Sequence, residues 1–228
     1  MRRQGVRVPV PQFVFRLQQA HPFHVLELTG LFQDFHPVRY GFTVGFFDGW
    51  KVRSGVSRLS SEEQYKGYDQ VINVLKKLNT DQTIIKYIIA GKADVQELSR
   101  VKQLITEQGL SDKVILTGFV KEQELIDHYL LADIFVLPSK GEGFGIVLIE
   151  ALACGRKLIA GNKDGSVDAL MNGELGTLVD PDDLDQLKLA IIDSLNDIKY
   201  DSLTIQESAQ NNFGFHLFKN RILDYLSR

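Results

Sequence analysis

The chain has a single cysteine, Cys154, so no internal disulfide can form and nothing in its composition asks for an oxidising compartment. It also lacks any run of about 20 apolar residues, which excludes an ordinary membrane-spanning helix. The basic start Met1-Arg2-Arg3 looks like the opening of a signal peptide, yet Arg7, Pro9, Pro11 and Arg16 interrupt Val6 to Gln18 and leave no apolar core. A strong charge imbalance is missing as well: 26 Lys and Arg against 29 Asp and Glu give a net charge of -3, with no footprint for nucleic acid. These absences point to a cytoplasmic protein, or one resting peripherally on the inner face of the membrane. Any phosphate-bearing ligand has to be held by local groups.

What is present is unevenly spread. The 228 residues suffice for one large domain or a domain with an appendage. The first fifty contain Pro9, Pro11, Pro22 and Pro37, eight of the fourteen phenylalanines and no lysine. They show no helical or strand periodicity. Such a break can mark a linker, a separate small element or a stretch outside the fold. Residues 1–50 are read as an atypical segment, aberrant (a truncated or frame-shifted remnant) or disordered, and residues 51–228 as the folded domain.

From Lys51 onward short β-branched runs alternate with amphipathic stretches. Strands are expected at Val52 to Ser57, Thr83 to Ala90, Val114 to Thr117, Ile134 to Leu137 and Lys157 to Ala160, with a short one at Gly176 to Val179. Helices are expected at Tyr68 to Leu78, Val95 to Gln108, Glu122 to Leu131, Gly145 to Cys154, Asp182 to Leu195 and Phe215 to Leu226, the last two packed on the same layer. Continuous apolar strands alternating with helices imply an α/β fold, a Rossmann-like parallel sheet covered on both faces.

In such a sheet ligands bind beyond the carboxyl ends of the strands, so the loops there carry the chemistry. The strongest motif is Pro138-Ser139-Lys140-Gly141-Glu142-Gly143-Phe144-Gly145, which follows one strand and opens a helix. Its glycines allow close backbone approach, and the helix start offers unpaired N–H groups to a phosphate. Without a ligand it reads as a Gly-rich turn. Glu142 in the loop and Glu150 in the helix can each accept hydrogen bonds from sugar hydroxyls. Glu150 stands inside Ile146-Val147-Leu148-Ile149 and Ala151-Leu152-Ala153, where a bare charge is costly. The plain alternative is a polar stripe facing solvent.

A second constellation, Ser57 to Gly67, follows the first strand. Arg58 can fork onto two phosphate oxygens and Lys66, at the start of the next helix, adds a point charge. As a surface lysine, Lys66 means nothing. Lesser candidates are Gly91-Lys92 and Thr117-Gly118-Phe119-Val120, where backbone groups and an apolar wall can meet a base, or simply end a strand. Asp180-Pro181-Asp182-Asp183-Leu184-Asp185 suggests a cation site, but an Asp-rich helix start explains it better. Cys154 is read as packing and His128, without a ligand-spaced partner, as structural.

Arg58 to Gly67, Gly118, Leu137 to Gly145, Glu150 to Gly155, Asp164-Gly165-Ser166-Val167-Asp168 and Gly173 to Pro181 together resemble the family-4 retaining glycosyltransferases of GT-B fold, from about residue 55 to the end. The resemblance implies the C-terminal, nucleotide-sugar-binding half of such an enzyme. It implies that Arg58 and Lys66 hold the donor diphosphate and that Glu142 positions the donor sugar. Gly143, Phe144 and Gly145 then line the phosphates, Glu150 binds the ribose, and Gly118, Phe119 and Val120 flank the base. No metal or cofactor is implied beyond the nucleoside-diphosphate sugar, because cationic side chains and a helix dipole stabilise the leaving group.

Two departures accompany the likeness. Family members carry an N-terminal Rossmann-like acceptor domain for which this chain has no room, so a separate acceptor domain is expected as partner. Lys51-Val52-Arg53-Ser54-Gly55 is also more polar than the buried first strand expected there. The competing functions are a non-catalytic nucleotide-sugar-binding module or inactive fragment, and a nicotinamide-dependent oxidoreductase. The last lacks a Gly-x-Gly-x-x-Gly turn after its first strand.

Overall fold

The computed structural model describes residues 51–56, 59–78, 85–197 and 201–227. The readings of residues 1–50, Ser57 and Arg58 lie outside the described residues. Among the described residues six strands make one parallel sheet: β1 (Lys51–Val56), β2 (Ile85–Ala90), β3 (Val114–Gly118), β4 (Ile134–Leu137), β5 (Lys157–Gly161) and β6 (Thr177–Val179). Their order is β3-β2-β1-β4-β5-β6. The expected α/β class, a parallel sheet with helices, holds, and the strands lie within about two residues of their expected bounds.

Position in the sheet explains the strand sequences. Every residue of Ile134–Leu137 is buried, and only Lys157 of β5 is partly exposed, as befits strands covered on both faces. At the β3 edge, Ile115 remains 43% exposed. The polar segment Lys51–Val56 is nonetheless central. It pairs with β2 along all six residues and with β4 through Arg53 and Ser54, so its place is set by two backbone ladders.

The helices that connect or follow the strands are α1 (Tyr68–Leu78), α2 (Val95–Glu107), α3 (Glu122–Leu131), α4 (Ile146–Ala153), the short α5 (Ser166–Ala169), α6 (Leu184–Asn196), α7 (Ser202–Phe213) and α8 (Phe215–Leu226). Helix α1 buries Val71, Leu75 and Leu78 on one face, as their spacing demands. Helix α7 is not legible in the apolar pattern because Ser202 to Phe213 is mostly polar. Its signal is the Asp201 side chain, which accepts from Leu203 N. Helix α7 packs against α4, and α8 lies against α7 with Phe218, Leu223, Tyr225 and Leu226 exposed, in place of the layer packing expected for it. No helix among the described residues is long and apolar enough to cross a membrane.

Two features position the site. The strand order reverses between β1 and β4, which opens a crevice at their carboxyl ends. Beneath the first loop, the buried Glu97 carboxylate accepts from Gln64 Nε2 at 3.0 Å, from the Tyr68 hydroxyl and from Arg100, whose guanidinium also forks onto Asp69 with two bonds of 2.8 Å. Burial pushes the Glu97 carboxyl up, but hydrogen bonds from Arg100, Tyr68 and Gln64 outweigh it and hold it below the ordinary value. The stability Glu97 contributes is therefore present above the ordinary carboxylate range and lost as pH falls through its folded value. We expect Arg100→Ala to lower stability by about 2 kcal/mol at neutral pH, because two charge-assisted partners lose their donor. Urea denaturation should show that deficit shrinking at acid pH.

Candidate functional site

The loop after β1 is pinned to the start of α2. Leu59 N donates to Lys92 O and Asp94 N to Leu59 O, at 3.0 and 2.9 Å. The chain then makes a 3-10 turn over Gln64–Lys66 and leaves it through Gly67 at φ 82°. A side chain at Gly67 would come within 2.3 Å of Pro138 O, so glycine is needed both for the dihedral and for the approach of the second loop. That loop, residues 138–145, joins β4 to α4. Lys140 N donates to Tyr65 O at 2.9 Å, and Gly141 lies against the Tyr65 ring.

This fastening brings two of the expected residues together. Lys66 Nζ lies 3.7 Å from Glu142 Oε1 and 3.8 Å from Glu63 Oε2, with its own side chain 11% exposed. Lys66 thus belongs to the turn preceding α1 and is no loose surface lysine. Burial pushes the Glu142 carboxyl up, Asp164 and Glu63 push the same way, and Lys66 only partly opposes them. The Glu142 backbone is held from both sides, its N–H donating to Asp164 Oδ2 at 2.8 Å and its carbonyl accepting from Gly165 N at 2.9 Å.

The other expected residues extend from this point. Gly143, Phe144 and Gly145 lead into α4, with the Phe144 ring edge-on to Phe213 at 6.2 Å. Glu150 is 4% exposed, which excludes the solvent-facing stripe, and it accepts from the Tyr129 hydroxyl at 2.8 Å. Gly118 ends β3, followed by Phe119, which is 71% exposed. That end lies three strand spacings from β4, about 14 Å. Asp183 caps α6 by accepting from Asp185 N and Gln186 N, so the helix-start reading holds there. Asp180 and Asp182 instead pair with Lys163 at 2.6 and 3.0 Å, and Asp182 also meets Lys140. Cys154 is fully buried, and burial pushes its thiol up to about 12, as suits a packing residue.

Sequence reasoning misses Glu63, Asp164 and Tyr129 as neighbours of these residues. Glu63, in the stretch Ser57 to Gly67, and Asp164, in the stretch Asp164 to Asp168, each had a signal only as part of a motif and without a role. Because Glu142 ionises less readily in the fold than in the open chain, the stability tied to it is full at low pH and is lost as pH rises through its folded value. Glu142→Gln is therefore expected to melt higher than the unsubstituted chain at pH 7. In thermal melts across pH, that gain should vanish below the carboxylate range.

Comparison with known proteins shows which family and fold the chain shares. The chain shares 31% identity over 139 residues with a GDP-mannose-dependent alpha-(1-6)-phosphatidylinositol monomannoside mannosyltransferase of Mycolicibacterium smegmatis, covering 58% of this chain and 36% of the relative. It shares 32% over 152 residues with mannosylfructose-phosphate synthase of Agrobacterium fabrum, covering 64% and 33%. The chain thus spans about a third of the length of the curated relatives it matches. Among solved structures, HepE of Anabaena in complex with UDP and glucose superposes with a TM-score of 0.65 at 26% identity, over 78% of this chain and 48% of that one. The family model of glycosyl transferases group 1 matches residues 56–211, and the chain belongs to that family.

Proposed function

We propose that residues 51–228 form the donor-binding half of a retaining glycosyltransferase, which takes a sugar from a nucleoside-diphosphate sugar when an acceptor domain completes the cleft. The observation that carries this reading is the meeting of Lys66 and Glu142 at 3.7 Å, from the two loops that flank the reversal of strand order. A cation beside a carboxylate at that crevice suits a ligand with a phosphate at one end and hydroxyls at the other. The relatives named for GDP-mannose, and the HepE complex with UDP and glucose, point to the same ligand class.

In the proposed reaction the bond between the anomeric carbon and the β-phosphate oxygen breaks, and the nucleoside diphosphate leaves. Lys66, Arg58 and the start of α4 would stabilise the charge that develops on the departing phosphate. Glu142 would accept hydrogen bonds from the sugar hydroxyls, while the acceptor's hydroxyl oxygen attacks from the leaving-group side, its proton passes to the departing phosphate oxygen, and configuration is retained. Glu150 would take the ribose, its carboxylate oriented by Tyr129, and Gly118 to Val120 would flank the base. A diphosphate entering this site competes with Glu63 and Glu142 for Lys66, so binding rearranges an existing set of charges.

Isothermal titration of the full chain with a nucleoside, its diphosphate and its diphosphate sugar tests the proposal. Lys66→Glu should reduce diphosphate affinity at least tenfold, a factor of about 1.4 kcal/mol, and leave the nucleoside nearly unchanged. Equal losses for both would refute the phosphate role. Glu150→Ala should weaken nucleotide-sugar binding by about 1–3 kcal/mol, and unchanged affinity would remove Glu150 from the site.

A further inference from the structure

Glu142 stands between Gly141 and Gly143, two residues that leave the chain between them little intrinsic preference. A carboxylate that has to meet sugar hydroxyls needs its backbone fixed to about 0.5 Å. The restraint therefore comes from elsewhere in the fold. Asp164, in the turn after β5, supplies it. One carboxylate oxygen, Oδ2, accepts from Glu142 N at 2.8 Å, and the other, Oδ1, accepts from Ser166 N at 3.0 Å. The next residue answers from the other side, Gly165 N donating to Glu142 O at 2.9 Å. Both polar groups of the Glu142 backbone are thus tied to one turn. A side chain at Gly165 would lie 2.1 Å from Gly143 O, so the turn presses on the loop as closely as glycine allows.

The turn is itself anchored. Lys163, immediately before Asp164, pairs with Asp180 and Asp182, and Lys140, two residues before Glu142, reaches the same Asp182. The loops after β4, β5 and β6 are thereby joined on both flanks of the contact. Asp164 also adds its charge to the burial that pushes the Glu142 carboxyl up, against the pull of Lys66.

We infer that Asp164 is a positioning residue for Glu142, fixing its backbone so that its carboxylate faces the donor sugar. The inference rests on the reading of Glu142 as the sugar-holding group. The plainer role of the same side chain is local: an Asp that accepts from the N–H two residues on does no more than shape its own turn.

The test uses the full chain and two substitutions, Asp164→Ala and Asp164→Asn. Hydrogen exchange at the Glu142 amide measures the contact without any ligand, and the Glu97 amide, capped by Asp94, serves as the control. Titration with UDP and UDP-glucose, and with GDP and GDP-mannose, measures the preference for the sugar-bearing ligand. In Asp164→Ala, exchange at Glu142 should quicken at least tenfold with Glu97 unchanged. The preference for the sugar nucleotide should fall about five- to tenfold, the size of one ordinary hydrogen bond, while the plain diphosphate binds as before. Asp164→Asn keeps one acceptor oxygen for two N–H donors, so it should fall between, and it stands in if the alanine variant does not fold. Unchanged exchange at Glu142, or equal loss of affinity for diphosphate and sugar nucleotide, would overturn the inference. If the unsubstituted chain prefers neither sugar nucleotide, the assignment of Glu142 itself fails and this inference with it.

Discussion

A nearly buried ammonium shared by two nearly buried carboxylates is the interaction on which the site depends. Lys66, Glu63 and Glu142 together carry one excess negative charge in a place where water screens poorly. Such a set is tolerated only when geometry is held by other means, because each charge taken from water is costly unless paired. Here the means are backbone contacts between loops and the buried Glu97 network under the turn that carries Lys66. Burial is the main cause that pushes the Glu142 carboxyl up, with Asp164 and Glu63 adding to it and Lys66 opposing. A ligand bearing both phosphate and hydroxyls relieves it from both ends, drawing on the lysine with one and on the carboxylates with the other.

The sheet supplies what no single loop can. Its order reverses between β1 and β4, so the loops after these strands open side by side although they are some eighty residues apart in the chain. Nothing in the chemistry of Lys66 or Glu142 alone makes a site. The parallel register does, by delivering both to one end of the molecule.

Much of this was legible from the residue pattern. Val71, Leu75 and Leu78 repeat with helical spacing and are buried, and Ile134–Leu137 is a continuous apolar run because both faces of its strand are covered. Lys66 and Glu142 could be singled out because each sits in a loop that directly follows a strand. What escaped notice was whatever depends on contacts far along the chain. Glu63 lies three residues from Lys66 but gains meaning only when Glu142 arrives, and Asp164 acts on a residue 22 positions away. Tyr129 looks like one more apolar side chain until its hydroxyl meets Glu150. Helix α7 was hidden for another reason, since its burial against α4 involves few large apolar residues and its start is announced by Asp201 alone.

The close passage of Gly67 against Pro138, with Lys140 bonded back to Tyr65, leaves no slack between the two loops. Neither can gain or lose a residue on its own without tearing the seam. The two loops therefore behave as one structural piece, and transplanting residues 138–145 into a foreign scaffold would require carrying residues 63–67 along.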